Sequence, residues 1–334
     1  MLTAVMLTLL ACGGEEAAPP PDASAAAAAL AQGDISGAMT LYGELAAFEP
    51  GNLEAAIALS YGALLSGDLA SADSILSAAE GAAGPALGEI LVRRAMVAVE
   101  RGDMEAVIQL GRSSGLPAGK LLSGEALLTD SEWGDAEEVF REVSESGGDF
   151  GAIADKYLAL LGGDGELGEL AEVTASWSMG NHQWVMETIV DVTSRLPSGW
   201  SEDDQEMLLW AGRAVGSGHP GVAASLLDSV RSLPQGQVWR RLATAALIHC
   251  ARGESGECTS KLDALEGEAP PYGLMHARAT GAALLGQADS VGAVALLGDS
   301  MSNASGSAAY AAGDMSSALR LSPQGLFNDY LRSK

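Results

Sequence analysis

Gly33-Asp34-Ile35-Ser36-Gly37-Ala38-Met39-Thr40-Leu41-Tyr42, continued by Leu45 and closed at Pro50, is the stretch that decides the fold. Gly33-Asp34 predicts a turn and Pro50 a helix stop. Between them Ala38, Tyr42 and Leu45 recur at steps of four and three, which places them on one helical face. Thirty-four residues on, the pattern returns as Gly67-Asp68, Ala72, Leu76 and Ala79, ending at Gly84-Pro85.

Later units keep the spacing more than the residues. Gly180 leads to Val185, Ile189, Val192 and Pro197, and Gly218 to Ala223, Leu227, Val230 and Pro234. Gly253 leads to Cys258, Leu262, Leu265 and Pro270, Gly286 to Val291 and Ala295, and Gly313-Asp314 to Ala318. Ala106 with Leu110, and Ala136 with Phe140, mark two further second helices. Trp133 to Val143 reads as amphipathic, with Glu137 and Glu138 outside and Val139, Phe140 and Val143 inside. Gly162–Gly168 is the least regular stretch. A lone helical hairpin cannot cover its own apolar face, so neighbours must stack, and Ala or Gly at the contact seats lets helices approach closely.

This pattern resembles the tetratricopeptide repeat. In that family the first helix of a hairpin carries a large residue, a small one and then an aromatic or small one, places held here by Leu59, Ser60 and Ala63. The resemblance implies an all-α, right-handed α-solenoid of about eight or nine helix-turn-helix hairpins. The solenoid would span residues 25–334 and end in a polar cap over Gly325–Arg332. It also implies a concave groove lined by first-helix side chains, for which Tyr61, Leu64, Leu65, Trp177 and Leu247 are candidates. These are mostly apolar, so the Lys and Asn clamp with which the family grips a C-terminal carboxylate is not expected.

Forty-four Asp and Glu oppose 18 Lys and Arg, a net charge of −26, and no Lys or Arg precedes Arg93. Nucleic-acid binding needs clustered cations to neutralise phosphates, and anionic lipid needs the same, so neither partner is expected. The acidic N-terminal third favours a basic protein or peptide. Apolar residues make up 48% but aromatics only 5%, a composition suited to tight helix packing; β-branched runs are too few for a sheet.

Residues 1–11, MLTAVMLTLLA, carry no charge and are too short to span a bilayer. Leu9-Leu10-Ala11-Cys12 resembles the bacterial lipobox, which implies removal of the segment before Cys12 and acylation of its thiol. Residues 12–24, rich in Gly, Pro and Ala, then read as a tether. Gly13, rather than Asp, after the cysteine implies delivery to the outer membrane.

Five of the six tryptophans, Trp177, Trp184, Trp200, Trp210 and Trp239, fall in one span. They read as packing where repeats diverge or, functionally, as part of a partner-binding groove with Tyr61 and Leu64. Cys250 and Cys258 flank the turn at Arg252-Gly253-Glu254. In an antiparallel hairpin they come within disulfide range, and an extracytoplasmic address would allow oxidation; two ordinary buried thiols are the alternative.

No catalytic site is expected from the motifs. His182, His219, His249 and His276 stand in no metal-ligand spacing. No S-x-x-K or C-x-x-C occurs. Gly163-Asp164-Gly165-Glu166-Leu167-Gly168 has the form of a dinucleotide loop but follows a helix-like segment rather than a strand. No catalytic, cofactor or metal residue is therefore assigned. The expected function is a lipid-anchored protein-interaction scaffold of the bacterial envelope, similar in repeat and lipobox to the lipoprotein subunit of the barrel-assembly machine and to type IV pilotins. An enzyme or small-ligand receptor with a pocket within residues 160–250, and a passive spacer, are the alternatives.

Overall fold

The computed structural model describes residues 23–31, 35–65, 67–163, 165–196 and 203–285. Cys12 and most of the tether, the turn at Gly33-Asp34, Trp200, and the Gly286 and Gly313 units lie outside these residues. The described residues form helices and turns, with no strand among them. None of these helices is long and apolar enough to cross a membrane.

The helices pair in chain order. The first pairs are α1 (Ala23–Ala31) with α2 (Ile35–Phe48), α3 (Leu53–Leu65) with α4 (Leu69–Ala79), and α5 (Leu87–Arg101) with α6 (Met104–Ser114). Next come α7 (Pro117–Thr129) with α8 (Trp133–Glu145), then α9 (Gly148–Leu161). After it stand α10 (Gly165–Ser178) with α11 (His182–Ser194), α12 (Asp203–Gly216) with α13 (Pro220–Ser229), α14 (Val238–Ala251) with α15 (Ser255–Asp263), and α16 (Pro271–Leu284).

Six of these pairs are closed by one turn geometry. Gly67, Gly102, Ser131, Gly180, Gly218 and Gly253 all have φ between 59° and 81°. The residue after each donates its N–H to the carbonyl five residues back: Asp68 to Ala63, Asp103 to Ala98, Glu132 to Leu127, Asn181 to Ser176, His219 to Ala214 and Glu254 to His249, at 2.8–3.0 Å. This is a Schellman turn, which satisfies carbonyls that a helix end leaves open. Each of those residues then accepts from the N–H four places on, so the next helix starts at once. Glycine suits the left-handed slot because it has no Cβ to clash; Ser131 holds it with a side chain, and its Oγ donates to Glu172 at 3.3 Å.

Five residues past each left-handed position sits a buried seat: Ala72, Val107, Ala136, Val185, Ala223 and Cys258, none more than 1% exposed. Tyr42, Leu45, Leu76, Ile189, Leu262 and Leu265 extend the same faces into the core. In α6 the buried positions are Val107 and Gly111 rather than Ala106 and Leu110, because the face is counted from the turn glycine and not from the nearest alanine.

The left-handed positions are separated by 35, 29, 49, 38 and 35 residues. The 49-residue interval exceeds 34 by 15, and α9 supplies 14 residues of that excess. α9 is thus an inserted helix, packed on α8 and α7, while α10 resumes the stack on α7 and α9. Gly162 and Gly163 follow the end of this insertion, and Gly165 to Gly168 form the first turn of α10. A helix on both sides leaves no strand for a dinucleotide loop.

Close approach is sharpest where α6 crosses α7. A Cβ on Gly119 would meet the Ser114 hydroxyl and the Gly111 carbonyl oxygen, the latter at 2.7 Å, whereas a Cβ on Gly43 would meet nothing within 4 Å. We expect Gly119→Ala to destabilise the protein by about 1–3 kcal/mol. Gly43→Ala is expected to stabilise it by about 0.5–1 kcal/mol. Urea titration of both variants checks the pair.

Candidate functional site

The inserted helix brings ionisable groups into an otherwise apolar interior. α7 is almost wholly buried from Ser123 to Leu128, and Glu125 lies inside that run. Tyr157 of α9 donates its hydroxyl proton to Glu125 Oε1 at 2.8 Å and stacks on Phe140 of α8, ring centroids 4.5 Å apart. Ser178, at the end of α10, hydrogen-bonds to the same pair. One residue before Tyr157, Lys156 extends to Glu206 Oε2 of α12 at 2.8 Å. α9 thus ties α7 to α12.

α12 presents Glu206, Trp210 and Arg213 inward at steps of four and three. Trp210 is fully buried, and the Arg213 guanidinium lies 4.3 Å from its ring centroid and 5.7 Å from that of Trp177. Trp177 meets Trp210 edge to face and stacks on His182 at 4.1 Å. Glu206 Oε1, Trp210 Nε1 and Arg213 Nη1 are buried and have no hydrogen-bond partner among the described residues. Large side chains span the α10–α12 contact, where small seats do the work elsewhere.

Burial dominates the electrostatics. It raises the Glu125 carboxyl to about 7, against the pull of the Tyr157 and Ser178 hydrogen bonds and the charge on Arg213. Burial and the neighbouring Glu125 also push Tyr157 well above its ordinary value, and burial lowers Arg213. Beside this cluster, a cleft of about 570 Å3 opens where the ends of α5, α7 and α10 converge, with Arg101, Met104, Thr129, Met179, Asn181 and His182 on its walls.

The sequence candidates distribute differently. Leu64, Trp177 and Trp210 are core residues, 5%, 6% and 0% exposed. These three pack against neighbouring helices and offer little surface in this structure. Leu247 packs partly against the core, and Tyr61 is half-buried on α3. The central cleft lies beside the tryptophans, with His182 as the link, rather than among them. Cys250 and Cys258 form a disulfide across the α14–α15 turn, with Cα atoms 4.9 Å apart; the free-thiol alternative is set aside. Glu125, Lys156, Tyr157, Glu206 and Arg213 escaped the sequence reading. The one available signal was Glu125 standing alone among small and apolar residues from Leu121 to Leu128.

Compared with known proteins, the chain matches no family model and no curated protein.

The Glu125 shift fixes a pH dependence. Its folded value lies above the ordinary 4.5, so the unfolded chain releases the proton first as pH rises. The associated stability is complete below pH 4.5 and gone above about pH 7. From pH 5 to 8 the wild type is expected to lose roughly 2–3 kcal/mol more than Glu125→Gln. Denaturant titrations at both pH values measure this; parallel losses would contradict it.

Proposed function

We propose that the protein is an interaction scaffold of the bacterial envelope, held by a lipid on Cys12, that presents a right-handed stack of about eight or nine hairpins to a protein or peptide partner. The observation that carries this reading is the set of large apolar side chains left exposed on the described helices. Leu87 on α5, Phe150 and Ile153 on α9, Leu209 on α12, and Val238 and Leu242 on α14 are all 40% exposed or more. Exposed apolar groups on a stable helical framework are a recurrent basis for partner recognition. The Cys250–Cys258 disulfide supports an oxidising compartment, in keeping with an address outside the cytoplasm. The cation-free N-terminal helices favour basic partners at that end. No enzymatic activity is proposed. A second reading, a receptor for a small ligand, is favoured by the cleft beside His182 and the buried cluster behind it.

Cross-linking in intact cells, followed by detergent extraction and pull-down, tests the scaffold. Recovery of the same partner in cross-linked and gently solubilised samples is expected, with Cys12→Ser releasing the protein from the membrane fraction. Recovery of the protein alone would contradict the scaffold reading.

A further inference from the structure

The segment that holds α14 differs in charge from the rest of the chain. No aspartate or glutamate occurs between Asp228 and Glu254, yet the window holds Arg231, Arg240, Arg241 and Arg252, in a protein of net charge −26. No ion pair among the described residues engages these four arginines, and three acids of α12 and the α14–α15 turn have other partners. The Asp204 carboxylate accepts from the backbone N–H groups of Arg231 and Ser232 at 2.7 Å, Glu206 holds Lys156, and Glu254 lies 2.5 Å from His249 Nδ1. Screening confines charge effects to about 8 Å at physiological salt, so the island acts locally despite the acidic whole.

α14 and its neighbour α12 each carry an open seam. On α14, Val238, Leu242, Ala245 and His249 follow one another at steps of four and three, continued by Arg252 just past the helix end, with Arg241 beside Leu242; Val238 and Leu242 are 42% and 44% exposed. On α12, which packs beside α14, Gln205, Leu209, Gly212 and Gly216 repeat the steps and are all exposed. A Cβ on Gly212 or Gly216 would meet nothing within 4 Å. Glycine in a helix costs about 1 kcal/mol relative to alanine, and no neighbour in the fold requires it at these two places. Apolar side chains on one helix and bare backbone on the next leave room for a third helix lying along both.

We propose that the α12–α14 face docks an amphipathic helix of a partner protein, with apolar residues at three- and four-residue steps flanked by Asp and Glu. The proposal rests on the scaffold reading above and supplies the chemistry of one partner.

The test uses the full chain and two labelled synthetic helical peptides with identical leucine positions, one flanked by glutamates and the other by lysines, followed by fluorescence anisotropy. The glutamate peptide is expected to bind, more weakly as salt rises, and the lysine peptide not to bind. Arg241→Glu with Arg252→Glu is expected to weaken the glutamate peptide roughly tenfold and to admit the lysine peptide. Gly212→Leu, at a position where an added Cβ meets nothing within 4 Å, is expected to weaken binding with no loss of Tm. Equal binding of the two peptides, binding of neither, or indifference to both variants overturns the proposal. Partners pulled down equally by wild type and the double-reversal variant would overturn this site and leave the scaffold reading standing; no partner with either would remove the scaffold reading itself.

Discussion

A left-handed residue at the end of six first helices is the constraint on which the rest of the structure depends. At Gly67, Gly102, Ser131, Gly180, Gly218 and Gly253 the chain reverses through one bond pattern, and the next helix begins at a fixed offset. That offset determines which residue of the second helix faces the core. Ala72, Val107, Ala136, Val185, Ala223 and Cys258 occupy one structural place although they share neither size nor chemistry. The turn sets the register, and small side chains at the crossings let the register be used.

Insertion of α9 shows what such a stack tolerates. An extra helix between one hairpin and the next does not derail the series, because each unit needs only its neighbours. α10 still finds α7, and the turn at Gly180 is built like the others. The local consequence is chemical: α9 introduces Lys156 and Tyr157, α7 and α12 answer with Glu125, Glu206 and Arg213, and tryptophans cover the gap. Ionisable groups this deep are costly unless satisfied, and the Glu125 carboxyl meets that cost by keeping its proton up to about pH 7.

Much of the fold was legible because glycine-to-alanine spacing is a local signal. Gly67 with Ala72 and Gly218 with Ala223 could be read directly, and their helices lie where the spacing predicts. Ser131 hid its turn, since nothing in a serine announces a left-handed backbone, and α6 was read one residue out because Ala106 resembled the seat that Val107 fills. The exposed faces were less legible than the buried ones. Trp177 and Trp210 look like binding residues in sequence, but a large ring is also what a widened helix contact needs. Leu209 and Leu242 look like core until the packing of α12 against α14 leaves them outside. The buried cluster was out of reach because its members come from α7, α9, α10 and α12, which only the stacking brings together.

If stability resides in turns and nearest-neighbour seats, damage should stay local. The most direct measurement is amide hydrogen exchange, helix by helix, on Gly253→Val, which places a β-branched residue where φ is +73°. The account predicts that α14 and α15 lose protection while α3 to α6 keep that of the wild type. An equal loss of protection in all described helices would contradict it.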